Sequence, residues 1–278
     1  MNIDNIIAEA IIEDIGDGDH TSLATIPADK TGKVNLVIKE PGILSGVDIA
    51  EKVFQKFDSS LVFNKLIPDG SGVKSGDIPF TVEGRSISIL SGERLALNFM
   101  QRMSGIATYT HKLVSLIKGT ETKLLDTRKT TPLLRELEKY SVKVGGGENH
   151  RMGLYDMILI KDNHIDFAGG IIPAIDATKK YLKSKNKYLK IEIEVKNFEE
   201  LEVVLNHGGV NRIMLDNFTP AELKMAVNRI SGEYETEASG GITEKTIRKY
   251  AETGVDYISV GALTHHINSL DMSLLAIK

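Results

Sequence analysis

From about residue 122 the chain alternates short β-like runs with longer helical segments, and this alternation constrains the fold more than any other feature. The runs are "KLLDT", "MILI", "KIEIEV", "RIMLD", "ETEAS" and "YISVG". Between them lie "PLLRELEKYSVKV", "IIPAIDATKKYLKS", "FEELEVVLNHG", "PAELKMAVNRISG" and "EKTIRKYAETG". Strands regularly separated by helices pair in parallel, through right-handed crossovers that cover the sheet. Six or seven such units suit a closed or nearly closed α/β barrel. The alternative is an open dinucleotide-binding sheet, but no G-x-G-x-x-G follows the first strand.

The region from about 20 to 90 has a different texture. "KVNLVIKEPGILSG" reads as a strand that breaks at Pro41-Gly42. In "DIAEKVFQKF", Ile49, Val53, Phe54 and Phe57 share one helical face. Glycine, proline and aspartate punctuate small strands in "PDGSGVKSGDIPFTVEG". This predicts a small α+β unit. "SILSGERLALNFMQRMSGIATYTHKLVSLIKG" reads as a helix with a break expected near Ser104-Gly105, bridging the two textures.

Composition bounds the partners. The 278 residues carry 41% hydrophobic and 26% charged side chains, enough for a full core and ordinary solubility. The net charge is −4, so no global basic field of the nucleic-acid-binding kind exists, and any anion site must be a local cluster. There are no cysteines, which removes disulfides, thiolate metal sites and cysteine nucleophiles, and is compatible with a reducing cytoplasmic location. The acidic, amphipathic N-terminus does not read as a signal peptide, and no stretch of about 18 apolar residues suggests a membrane span.

Chemistry in an α/β barrel sits at the C-terminal ends of the strands. Those ends carry Asp126, Thr127, Arg128 and Lys129; Lys161, Asp162, Asn163 and His164; Glu192, Glu194 and Lys196; Asp216 and Asn217; Ser239, Gly240 and Gly241; and Gly261. "GGGENHR", ending in His150 and Arg151, precedes the second run. Each element also has a plainer reading. "DTRKTTP" reads as a helix-capping turn as well, with Thr130 or Thr131 as N-cap and Pro132 at the first helical position. A lone His150 is more often structural, and Asp216 could cap the helix near "TPAEL". Glu194 has less freedom, because an inward carboxylate is costly to bury without a cation, a metal or hydroxyl groups. "ASGGIT" and "SVGALTH" together match the usual barrel phosphate cradle of glycine turns and backbone N–H groups. His265-His266 lacks a third ligand for zinc. Jointly, the rim suits a ligand with several separated negative charges and a centre that turns positive during reaction near Glu194 and Asp216.

"DTRKTTPLLRELEKYSVKVGGGENHRMGLYDMILIKDNHI" resembles the signature segment of the quinolinate phosphoribosyltransferase family. "EDIGDGDHTS", "GERLALNFMQRMSGIAT", "IEIEV", "IMLDNF", "EASGGI" and "SVGALTH" follow the family's order, so the resemblance spans nearly the whole chain. Leu133 stands where the family suggests glycine, and Ser141 where it suggests alanine. The resemblance implies phosphoribosyl transfer from phosphoribosyl pyrophosphate to quinolinate with decarboxylation, and a requirement for Mg2+. It implies an α/β fold: an incomplete seven-stranded α/β barrel over 106–265 and an N-terminal α+β sandwich over 1–105, joined by the tail 266–278. It also implies a homodimer with shared active sites, leaving hexamers open. By motif position Arg128, His150, Arg151 and Lys161 would bind quinolinate, with Lys129 serving quinolinate or pyrophosphate, and Arg94 would reach in from a partner subunit. Glu194 and Asp216 would meet the ribose hydroxyls and magnesium, and Ser239, Gly240 and Gly261 the 5-phosphate. Lys129, Lys161, Glu194 and Asp216 are the expected catalytic set. The alternatives are a related transferase with another aromatic acceptor, a non-catalytic anion-binding paralogue, and a generic phosphosugar barrel enzyme.

Overall fold

The computed structural model describes residues 3–277. In chain order the first part carries α1 (Ile3–Ile15), α2 (His20–Thr25), β1 (Thr31–Ile38), β2 (Gly42–Ile43), α3 (Val47–Phe57), β3 (Val62–Lys65), β4 (Gly72–Val73), β5 (Phe80–Arg85) and the long α4 (Ser86–Leu116). Then come β6 (Lys123–Leu125), α5 (Arg135–Val144), β7 (Ile158–Ile160), α6 (Asp162–Ala168), α7 (Ile171–Ser184) and β8 (Ile191–Val195). The last part holds α8 (Phe198–His207), β9 (Arg212–Asp216), α9 (Pro220–Ile230), β10 (Glu235–Ser239), α10 (Ile247–Ala251), β11 (Tyr257–Ser259), α11 (Ala262–His265) and β12 (Met272–Ala276). The chain divides into two compact units. One comprises 1–111, 130–146 and 262–278, and the other 112–129 and 147–261.

The first unit is built on an antiparallel sheet of order β12-β1-β5-β3. Strand alternation buries Val34, Leu36 and Ile38 on one face of β1. The C-terminal strand β12 pairs along β1, with Leu36 opposite Leu274 and Ile38 opposite Met272. Helix α3 buries Val47, Ile49, Ala50, Val53 and Phe54. The Phe54 ring stands 6.3 Å from that of Phe80, edge to face. Full burial of such a side chain is worth about 1.5–3 kcal/mol. The helix starts at Gly46, whose φ of 102° suits glycine, and Asp69 accepts the N–H groups of Gly46 and Val47.

Two local expectations change. Helix α4 runs unbroken through Gly105, where a break was expected. A Cβ at Gly105 would lie 2.2 Å from the Asn268 carbonyl oxygen, so this glycine marks a close approach of backbone and not a helix end. Helix α5 begins at Arg135 with Leu134 as N-cap, not at Pro132 behind Thr130 or Thr131. Leu133 has φ 68°, and this left-handed residue turns the chain before the helix can start. Thr131 serves a different contact: its N–H donates to Glu138, and its hydroxyl accepts from Arg102, which also pairs with Glu138 at 2.6 Å. Ser141 lies within α5, buried, and meets the Ser45 hydroxyl at 3.3 Å.

The second unit is a parallel sheet of order β6-β11-β10-β9-β8-β7. Its first strand pairs with its last, so the sheet turns back on itself as a barrel does. A single parallel bridge from Leu125 to Glu148 holds the seventh position. "GGGENHR" lacks the β-branched and aromatic residues that would extend it into a ladder. Among the described residues no helix is long and apolar enough to cross a membrane.

Candidate active site

Pairing register decides which side chains share the barrel interior. In β8 the period of two sends Ile191, Ile193 and Val195 one way and Glu192 and Glu194 the other, and all five are buried. Arg212 sits in register with Glu192 on one side and Glu235 on the other. One step along, Met214 lies between Glu194 and Glu237, and Asp216 then pairs with Ser239. The strands therefore climb from a charged but neutralised floor to a polar mouth.

At the mouth is a cavity of about 330 Å3, lined among others by Arg128, Lys129, His150, Arg151, Lys161 and Ser239. Arg128, Lys129 and Lys161 are exposed, and Arg151 is half-buried. Burial, then the neighbouring Arg128 charge, lowers the proton affinity of the Arg151 guanidinium. Two cations held close enough to repel form a site for an anion with more than one charge. The Arg151 side chain is aimed by a bond from Nη1 to the Met157 carbonyl, 3.1 Å. Lys161 Nζ donates to Glu194 Oε2 at 3.2 Å. Asp216 is raised above the usual carboxylate range by burial first and by the Glu194 charge second. Lys161, Glu194 and Asp216 thus act on one another, although the two carboxylates are not among the residues that line the cavity. Asp216 does not cap α9: Thr219 does, in a reciprocal box with Glu222.

Gly240 follows β10 with φ 96°, and a Cβ there would lie 2.2 Å from Asn217 Oδ1. Only glycine fits that turn. Gly241 also has a positive φ, 60°, with open space around it. Gly261 lies two residues beyond β11. Arg94 is exposed on α4, in the first unit, and does not line this cavity. Asp162 pairs with Lys196 at 3.0 Å, and His164 Nδ1 accepts the Lys161 N–H at 2.9 Å. Both therefore shape the turn that presents Lys161.

Sequence reading missed the floor beneath His150. Its Nε2 lies 2.8 Å from Glu192 Oε2 and 3.4 Å from Glu237 Oε2. Arg212 donates to Glu237 at 3.1 Å and to Glu235 at 3.0 Å, and stacks 4.0 Å over the Tyr257 ring. Asp126 accepts the His150 N–H at 2.9 Å and the Asn149 amide at 2.6 Å. The signal available in the sequence was the i, i+2 spacing of Glu192 and Glu194, which puts both on one face of the strand. Burial, then the Glu237 charge, pushes Glu192 up to about 7. Burial resists ionising Glu237, yet His150, a hydrogen bond with Ser259 and then the Arg212 charge hold it below the usual range. For His150, burial disfavours the charged ring, but the two carboxylates outweigh it and push the imidazole up to about 9. The Arg151 N–H points at Nδ1 from 2.8 Å and argues the other way. A doubly protonated ring would set two donors face to face there. We therefore assign the ring proton to Nε2, shared with Glu192, and leave Nδ1 bare.

Two family models match the chain: "Quinolinate phosphoribosyl transferase, N-terminal domain" over residues 19–104 and the corresponding C-terminal domain over 106–275. A chloroplastic nicotinate-nucleotide pyrophosphorylase [carboxylating] of Arabidopsis thaliana is 44% identical over 97% of this chain and 81% of its own. A probable nicotinate-nucleotide pyrophosphorylase [carboxylating] of Bacillus subtilis is 39% identical over 99% and 93%. The solved nicotinate-nucleotide pyrophosphorylase from Francisella tularensis superposes with a TM-score of 0.92 at 41% identity, covering 99% of this chain and 96% of that one.

Proposed function

The chain belongs to the quinolinate phosphoribosyltransferase family, and from that premise we propose how its barrel mouth works. It moves a ribose 5-phosphate unit from phosphoribosyl pyrophosphate to the ring nitrogen of quinolinate. Pyrophosphate and carbon dioxide leave, and nicotinate mononucleotide, a precursor of NAD, remains. The observation that carries this reading is the convergence of Arg128, Lys129, Arg151 and Lys161 on one cavity, with Lys161 bonded to the carboxylate of Glu194.

Quinolinate presents two adjacent carboxylates. Arginine grips a carboxylate through two parallel N–H donors, and lysine adds a point charge. Arg128 and Arg151 meet the diacid, Lys161 stands between it and the sugar, and Lys129 serves the diacid or the departing pyrophosphate. The bond from the anomeric carbon to pyrophosphate lengthens and leaves its electron pair on oxygen. Positive charge then builds at that carbon. Glu194 and Asp216, fixed on β8 and β9, stabilise it electrostatically and hold the ribose hydroxyls. The ring nitrogen donates its pair to the anomeric carbon and becomes a pyridinium. That cation adjoins the carbon bearing the 2-carboxylate. It takes up the electron pair released when carbon dioxide leaves, and a proton then fills the position. Transfer therefore precedes decarboxylation, and the protein's task is orientation and exclusion of water.

Glu194 and Asp216 are hard oxygen donors whose mutual repulsion a divalent cation would relieve, so the pair fits magnesium held jointly with substrate oxygens. When bound, magnesium neutralises charge on the pyrophosphate. The glycine turns at Gly240 and Gly261, with Ser239, take the 5-phosphate through backbone N–H groups. The working form is a homodimer in which Arg94 of one subunit completes the site of the other. The test is turnover of quinolinate with phosphoribosyl pyrophosphate and Mg2+, following labelled carbon dioxide and the mononucleotide, with nicotinate as the control acceptor. One carbon dioxide per nucleotide supports the reading. Nucleotide formed from nicotinate alone, or no turnover at all, would replace it.

A further inference from the structure

His150 was expected to be a ligand of the substrate, yet both ring nitrogens are engaged by the protein. Nε2 faces Glu192 at 2.8 Å, and Nδ1 receives the Arg151 N–H at 2.8 Å. Glu192 and Glu237 are fully buried, and Oε1 of Glu192 has no hydrogen-bond partner among the described residues. A core formed for stability alone gains little from two adjacent buried carboxylates, because burying charged acceptors this close together is destabilising. Arg212 holds Glu237 at 3.1 Å and so fixes the far end of the group. The near end is Arg151, whose guanidinium is itself tied to the Met157 carbonyl.

Resting on the substrate reading above, we propose that Glu192 and Glu237 are positioning residues. They lock the His150 ring so that its Nδ1 anchors the backbone of Arg151, and Arg151, not His150, grips the diacid. The chain of contact runs Arg212–Glu237–His150–Arg151, with Glu192 accepting the Nε2 proton. A buried carboxylate that fixes an imidazole tautomer plays this part in the serine-protease triad, and a side chain orienting the group that touches the ligand plays it in metal sites. A neutral amide at position 192 competes for the same nitrogen with its own N–H. A ring driven to the Nδ1-protonated form would then meet the Arg151 N–H donor to donor.

The test combines kinetics with nitrogen NMR of 15N-histidine-labelled protein, the His150 signals being identified by their absence in His150→Gln. Wild type is expected to show a bare Nδ1 and a protonated Nε2 at His150, both unmoved by saturating quinolinate. Glu192→Gln is expected to alter that signature and raise the quinolinate KM roughly tenfold, the loss of one charge-assisted hydrogen bond. The KM for phosphoribosyl pyrophosphate should stay within about twofold. Glu237→Gln should act in the same direction, which keeps the test open if one variant fails to fold. A His150 nitrogen that gains a proton or shifts on quinolinate binding would overturn the proposal. So would folded variants that keep the quinolinate KM, or that lose both substrates equally. Wild-type protein that does not turn over quinolinate would remove the substrate reading instead, while the ring signature would still report the relay.

Discussion

Two side chains decide what the mouth can hold. Arg151 is half-buried, pressed toward Arg128 and tethered at Met157, so its removal deletes a pre-aimed donor. Arg151→Ala should raise the quinolinate KM roughly ten- to a hundredfold, from the 1.5–3 kcal/mol of a charge-assisted hydrogen bond. Binding of phosphoribosyl pyrophosphate should stay nearly intact, and steady-state kinetics with each substrate varied will show the split. Asp216 behaves differently. Burial and Glu194 raise its proton affinity, so on acidification it is neutralised at a higher pH than an ordinary aspartate. With Asp216 in the proposed magnesium-holding role, the KM for phosphoribosyl pyrophosphate should therefore begin to climb while free aspartates are still ionised. Asp216→Asn should flatten that part of the profile, and an unchanged profile would take Asp216 out of the role.

At the scale of elements, α4 sets two effects against each other. Alanine in place of a mid-helix glycine gains about 1 kcal/mol in propensity. At Gly105 the new Cβ would overlap the Asn268 carbonyl, 2.2 Å away, and overpacking of this kind costs about 1–3 kcal/mol. Backbone cannot swing aside as a side chain can, so the clash wins. Gly105→Ala should lower Tm, and a higher Tm would mean that the tail segment near Asn268 packs more loosely than described.

The whole molecule is acidic, with a net charge of −4, yet its barrel mouth gathers cations. Local placement, not the overall field, attracts the substrate. The proposed homodimer with shared sites makes a prediction at this scale. Arg94→Ala should abolish activity without unfolding the chain, and Lys161→Ala should do the same. Mixed dimers of the two should recover part of the activity, since one of their two sites would be whole. A verified mixed dimer that stays inactive would place Arg94 outside the shared site.

Much of this protein follows from sequence alone, because periodicity and turn chemistry are local. Strand–helix alternation dictates a parallel sheet, and the period of two in "IEIEV" puts Glu192 and Glu194 on one face of the strand. The clustering of Arg128, Lys129, Arg151 and Lys161 at strand ends is equally legible, since a barrel collects those ends on one face. What sequence could not decide depends on partners far away in the chain. The bond between His150 and Glu192 spans 42 residues, and that between Arg212 and Glu237 spans 25. Nothing local distinguishes a ligating histidine from one held by a distant carboxylate. Gly105 looked like a helix break because its real neighbour, Asn268, lies more than 160 positions on. The true start of α5 turned on the left-handed Leu133, whose conformation the surrounding fold imposes against the residue's own preference. Local physics wrote the elements and the charges, and long-range contact alone settled which of those charges line the barrel mouth and which are paired beneath it.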